Sequence, residues 1–157
     1  MSFVRVENLI ERPEAVEQLA RWHYREWAHL YPEQSLQDFT EDLQRSLRGA
    51  PIPATWVLVD GGSVWGSASV IEHDMTINCH LGPWLANVYI HPDKRGQGLG
   101  RLLVAAVMEV CRKNGLNELF LFTPAQEYFY QRLGWTLLKR ELYQGDTVSI
   151  MTTRLQD

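Results

Sequence analysis

The feature that most narrows what this chain can fold into is a change of pattern between Val88 and Val104. An apolar run, Val88-Tyr89-Ile90, stops at His91-Pro92, because proline has no N–H to continue a strand ladder. Three glycines follow at alternate positions, Gly96, Gly98 and Gly100. Apolar residues then recur at helical spacing: Leu99, Leu102, Leu103, Ala106, Val107 and Val110. Gly115 after Asn114 is the expected stop. The segment reads as strand, glycine loop and helix, with Lys94, Arg95 and Arg101 in the loop.

Such a junction makes an anion site. The first N–H groups of a helix have no intrahelical partner, and the dipole favours negative charge there. Glycine lets the backbone approach an anion closely and adopt positive φ. A phosphate group is the natural ligand. No Lys-Ser or Lys-Thr follows the glycines, which excludes a Walker A loop. The dinucleotide pattern fails as well, since Arg101 stands where its third glycine belongs.

Around this junction, 157 residues read as one domain, 1–157, large enough to bury an ordinary core. A net charge of −4 argues against a nucleic-acid surface, for which a basic stripe is expected. No apolar run approaches the length of a membrane span. Met1-Ser2-Phe3-Val4-Arg5 runs into a strand-like segment without a signal peptide's apolar core. Cys79 and Cys111 form no Cys-x-x-Cys pair. The expectation is therefore reduced thiols, no metal and a cytoplasmic location.

In chain order, Phe3 to Asn8 alternates as a strand, and Pro13 opens a helix with Val16, Leu19, Ala20, His23, Trp27 and Leu30 on one face. His23 thus reads as a core-edge residue rather than a catalyst. Ser35 with Asp38 reads as a cap for a second helix whose stripe is Leu36, Phe39, Leu43 and Leu47. Thr55–Val59 and Val64–Ile71 form a hairpin around Asp60-Gly61-Gly62, and a polar connection, His73 to Pro83, leads into the strand Trp84 to Ile90. After the long helix, Leu119–Phe122 suits a strand buried on both faces. A short helix, Ala125 to Leu133, is closed by Gly134, and Trp135–Leu142 with Thr147–Arg154 make a terminal hairpin. The order is β-α-α-β-β-β-α-β-α-β-β.

Arg95-Gly96-Gln97-Gly98-Leu99-Gly100 resembles the Arg-x-x-Gly-x-Gly acetyl-CoA signature of the GNAT superfamily of CoA-dependent N-acetyltransferases. Downstream, Phe129-Tyr130-Gln131-Arg132-Leu133-Gly134-Trp135 resembles the family's Phe-Tyr-x-x-x-Gly-aromatic segment. The likeness is sharp from Leu85 to Trp135 and architectural elsewhere. It implies an α/β (α+β) fold: a mixed, mostly antiparallel sheet of about seven strands flanked by helices, with strands four and five splaying apart. Acetyl-CoA is then the cosubstrate. Val88, Tyr89 and Ile90 would meet its pantetheine arm, and Arg95, Gly96, Gln97, Gly98, Leu99, Gly100 and Arg101 its pyrophosphate. The acceptor would be an amine, either a small molecule or the lysine or N-terminus of a polypeptide, and a homodimer is left open.

The resemblance also places Tyr130 where the family has a tyrosine general acid, while Tyr128 faces elsewhere. Many members carry a glutamate near the start of strand four; here Pro83-Trp84-Leu85-Ala86 offers none. Candidate bases are therefore Glu72, His73, Asp74 and His80, beside a water route to solvent. If the third strand continued, alternation would send His73 to one face and Glu72 with Asp74 to the other. His73 is preferred for its ordinary pKa of about 6.5, with Asp74 the second choice. Acceptor walls are expected from Trp27, Tyr31, the His73–Pro83 loop and the terminal hairpin, forming an open site that suits a polyamine-like amine or a lysine. The alternative is a CoA-binding sensor or interaction domain without turnover.

Overall fold

The computed structural model describes residues 3–157. The reading of Met1-Ser2 as a direct lead into the first strand lies outside them. The elements follow in the expected order: β1 Val4–Asn8, α1 Val16–Trp27, α2 Leu36–Arg45, β2 Ala54–Asp60 and β3 Ser63–Ile71. Then come β4 Trp84–Ile90, α3 Leu99–Lys113, β5 Glu118–Thr123, α4 Glu127–Gln131, β6 Thr136–Tyr143 and β7 Asp146–Arg154. The seven strands form one sheet in the order β1-β2-β3-β4-β5-β7-β6. All neighbours are antiparallel except β4 and β5. No helix among the described residues is long and apolar enough to cross a membrane.

Period-two alternation distributes the strand side chains between two faces. Trp56, Leu58, Leu85, Leu119, Leu121 and Met151 point to one face, where α3 covers them with Leu99, Leu103, Val104 and Val107. Val57, Val59 and Tyr89 point to the other, where α1 and α2 contribute Leu19, Trp22, Phe39 and Leu43. Trp84, Phe120, Val148 and Ile150 extend that second face under Met75 and Tyr143. A fully buried leucine such as Leu103 stabilises the fold by about 2 kcal/mol through water exclusion alone. Two apolar positions expected in buried stripes, Leu36 and Leu102, are instead partly solvent-facing. Each sits at the edge of its helix's apolar arc, where periodicity does not separate packed from exposed. The cap of α2 is as expected: the Asp38 N–H donates to Ser35 Oγ at 3.2 Å, and the Ser35 N–H to Asp38 Oδ2 at 2.9 Å.

One irregularity in β4 matters more than the regular parts. Ser69 pairs with Ala86 but Ser67 with Tyr89, so Asn87 and Val88 together stand opposite the single residue Ala68. Asn87 takes a left-handed φ of 55°. This bulge shifts the phase of every later side chain by one residue. Tyr89 consequently packs with α1, while Val88 and Ile90 pack on the α3 side. Without the extra residue those three would point the opposite way.

Candidate active site

The bulge is held by buried polar side chains. Ser67 Oγ donates to the Asn87 carbonyl at 2.9 Å, and having one proton it must accept from His23 Nε2–H at 2.7 Å. Asn87 Nδ2 donates to Ser69 Oγ at 3.3 Å; Ser69 in turn bonds Thr55 at 2.8 Å, and Thr55 bonds Ser46 at 2.8 Å. His23 is only 1% exposed, and burial lowers its pKa to about 3, so the ring is neutral. It lies inside the core rather than at its edge. Thr55 lies in β2, Ser67 and Ser69 in β3 and Ser46 just after α2, and sequence context alone singled out none of them. The signal that could have set them apart was their clustering opposite a single asparagine.

β4 and β5 separate after one paired position, and the bulge lies within the separated part of β4. Their ladder contact is Trp84 with Phe120, supported by Phe120 N–H donating to the Pro83 carbonyl at 2.9 Å. From there a cavity of about 610 Å³ opens between the strands, bordered by Leu85–Ile90 on one side and Leu121–Thr123 on the other. It reaches both faces of the sheet. On the α3 face it meets Gly96 and Gly98–Arg101; on the other it meets Trp27, Leu30, Tyr31 and Asp74, with the Arg95 side chain reaching towards Glu26 of α1 and over Tyr89.

At the α3 face, Gly98 is the N-cap residue, with φ 78°, and no side chain caps the helix. The first-turn N–H groups have no intrahelical partner and no side-chain cap. Gly96 also has positive φ, and a Cβ at either glycine would meet nothing within 4 Å. The constraint there is backbone conformation plus open space for an incoming group. Gly100 differs from the sequence expectation: it is helical, and a Cβ would contact Phe129 at 3.6 Å and Ile90 at 3.7 Å. Of the ten residues expected to touch the cofactor, Gln97 alone does not border the cavity. The Arg95 side chain is already engaged, its Nε donating to the Ile90 carbonyl at 2.7 Å and its guanidinium 3.4 Å from Glu26. Arg101 is exposed and makes no ion pair among the described residues.

Tyr130 borders the cavity from α4 and is 7% exposed, whereas Tyr128 is 71% exposed. Burial raises the Tyr130 phenol above its ordinary pKa, so it carries its proton at neutral pH. Its hydroxyl makes no hydrogen bond to any described residue. On the opposite face, Tyr31 donates its hydroxyl to Asp74 Oδ1 at 2.7 Å. Burial pushes the Asp74 carboxyl up to about 7, opposed by that bond and assisted by the nearby charge of Asp42.

Glu72, His73 and His80 are exposed and do not border the cavity. The alternation argument that preferred His73 needs a strand running that far, and β3 ends at Ile71. Tyr31 draws Asp74 inward from an irregular loop instead. Trp27 and Tyr31 wall the cavity as expected, but no described residue of the terminal hairpin does. Among the described residues no cluster of side chains could hold a metal ion.

Residues 51–137 match the family model described as "Acetyltransferase (GNAT) domain", from β2 to the start of β6. The chain is 42% identical over 50 residues to an uncharacterized N-acetyltransferase, ycf52, of Gracilaria tenuistipitata var. liui, covering 31% of this chain and 28% of that one. It is 31% identical over 93 residues to the amino-acid acetyltransferase of Yersinia pestis bv. Antiqua (strain Angola), covering 48% of this chain and 21% of that protein. The chain thus spans less than a third of the length of these relatives. Among solved structures, the paia N-acetyltransferase of Thermoplasma acidophilum in complex with coenzyme A superposes with a TM-score of 0.69. That likeness is of fold, at 18% identity, and covers 97% of this chain and 99% of the other. With the family model matching more than half of its length, the chain belongs to the GNAT acetyltransferase family.

Proposed function

We propose that this protein transfers the acetyl group of acetyl-CoA to a primary amine by direct attack. The observation that carries the reading is the gap between β4 and β5. It joins an uncapped helix N-terminus on one face of the sheet to the half-buried Asp74 carboxylate on the other. The residues present fit the cosubstrate: positive-φ glycines with open space beside them, free first-turn N–H groups, and a β4 edge left without a ladder partner. The CoA-bound neighbour supports the same choice.

Acetyl-CoA would supply an activated acyl group; the chain's own residues do the rest. The α3 N-terminus binds phosphate through N–H groups and dipole. Backbone groups of Val88–Ile90 orient the pantetheine arm, and a β4 N–H stabilises the negative charge that develops on the acyl oxygen. An amine attacks only when neutral, whereas a free lysine-type ammonium has a pKa near 10.4. Asp74, with a pKa of about 7, accepts that proton at neutral pH. As the new C–N bond forms and the C–S bond breaks, Tyr130 donates its hydroxyl proton towards the leaving sulfur, the nitrogen releases its second proton to water, and Tyr130 is reprotonated from solvent. Asp74 rather than His73 is the proposed base because it borders the cavity and His73 does not.

The test is an amine panel incubated with acetyl-CoA, read by thiol release and by product mass. Amine-dependent thiol with a matching N-acetyl product is expected. Acetyl-CoA binding without turnover of any amine would favour a CoA sensor of the same fold.

A further inference from the structure

We infer that the acceptor is a primary monoamine carried on an apolar or aromatic body, its ammonium docking at Asp74, and neither an α-amino acid nor a polyamine. This deepens the acyl-transfer reading and rests on it for the face from which the acceptor enters.

The chamber on the α1 side of the gap is walled by Trp27, Leu30, Tyr31, Tyr89 and Phe122. Tyr89 stands edge-on to Trp27, their ring centroids 6.0 Å apart, so the wall is a packed aromatic surface. Asp74 faces this chamber with one hydrogen bond, from the Tyr31 hydroxyl, and no ion pair among the described residues. A half-buried carboxylate without a counter-charge carries a desolvation cost, and one positive group placed beside it relieves that cost. Aromatic faces add their own attraction for a cation. A single ammonium on an apolar body matches both the carboxylate and the walls.

The remaining charged side chains bordering the cavity have partners or lie on the far face, although the Arg95 guanidinium sits over the Tyr89 ring, 5.5 Å from its centroid. Glu26 pairs with Arg95 at 3.4 Å, and Lys94 with Asp60 at 3.2 Å. Arg101 starts α3 on the opposite face, with the first-turn N–H groups. An α-carboxylate beside the reacting nitrogen would therefore meet Asp74 as a like charge, and the cation at the chamber wall, Arg95, is already paired with Glu26. A second ammonium along a polyamine would enter an aromatic wall with no second free carboxylate. The polyamine-like acceptor expected from the short terminal turn is thus disfavoured by the walls themselves. The Yersinia relative is named for amino-acid acetylation, so this chamber separates the chain from that protein's substrate class.

The inference is tested by calorimetry on the CoA-loaded protein with three probes: 2-phenylethylamine, L-phenylalanine and spermidine. The first two differ only by the α-carboxylate. 2-Phenylethylamine should bind at least tenfold tighter than either of the others, and Asp74→Asn should weaken it at least tenfold. CoA affinity of the variant, measured in the same way, reports whether it is folded; Tyr31→Phe, which keeps the carboxylate, should weaken the amine less than Asp74→Asn. Equal or tighter binding of L-phenylalanine or spermidine overturns the inference. So does failure of all three to bind, or an affinity for 2-phenylethylamine indifferent to Asp74. If 2-phenylethylamine binds as expected yet no N-acetyl product forms, the chamber assignment stands and the acyl-transfer reading falls.

Discussion

Tyr130 and Tyr128 are two residues apart on one short helix, yet burial separates them completely. Tyr130→Phe keeps the buried ring and removes the proton. Acetyl-CoA affinity should hold while kcat falls by about 10- to 100-fold, the low end for general acid help because a thiolate leaves readily. An unchanged kcat where chemistry limits the rate would make Tyr130 a packing residue. At the bulge, Ser67→Ala strands the His23 N–H and the Asn87 carbonyl inside the core. It should cost about 1–3 kcal/mol in urea unfolding and lower kcat more than it raises the KM for acetyl-CoA. Loss of stability with kcat intact would confine this network to structure. Tyr130 was legible because its helix carries a spaced motif. The Asp74 placement was not: in a loop no periodicity says which of three adjacent polar residues turns inward, and the deciding contact comes from Tyr31, 43 positions away.

Elements with a clear period were read directly, from the strand–glycine–helix junction to the terminal hairpin. The β4 bulge was hidden because, Asn87 apart, Trp84–Ile90 is apolar on both faces, so either phase reads nearly alike. Two glycines test this level. Gly98→Val forces a β-branched residue into φ 78° at the mouth of the anion site. Acetyl-CoA should bind at least tenfold more weakly, about 1.4 kcal/mol, by calorimetry on protein that is still folded. Unchanged affinity would remove this loop from the cofactor site. Gly66 was not singled out by its sequence context, yet a Cβ there would lie 2.5 Å from the Tyr89 carbonyl. Backbone must yield, so Gly66→Ala should destabilise by about 1–3 kcal/mol and shift β4. A thermal midpoint equal to that of the parent would refute the close approach.

At the scale of the whole molecule, buried His23 and half-buried Asp74 pull stability in opposite directions with pH. His23 titrates at about 3 when folded against 6.5 ordinarily, so the unfolded chain binds its proton more readily and stability rises with pH across that interval. Asp74 titrates at about 7 when folded against 3.8 ordinarily, so the folded chain holds its proton and stability falls as pH rises through that window. Each contributes a slope of up to about 1.4 kcal/mol per pH unit, and between pH 3.8 and 6.5 they offset one another. Asp74→Asn removes one slope. Its stability relative to the parent, from urea unfolding, should grow steadily from pH 4 to 7; a constant difference would mean Asp74 has its ordinary pKa.

In the proposed direct transfer, the β4–β5 gap joins the two faces of the sheet so that both substrates would be bound together when the acetyl group moves. Initial rates measured while acetyl-CoA and 2-phenylethylamine are varied against each other test that arrangement directly. Intersecting reciprocal lines, the pattern of a ternary complex, are the expected result. Parallel lines would mean an acyl-enzyme formed in a separate step and would contradict direct transfer across the gap.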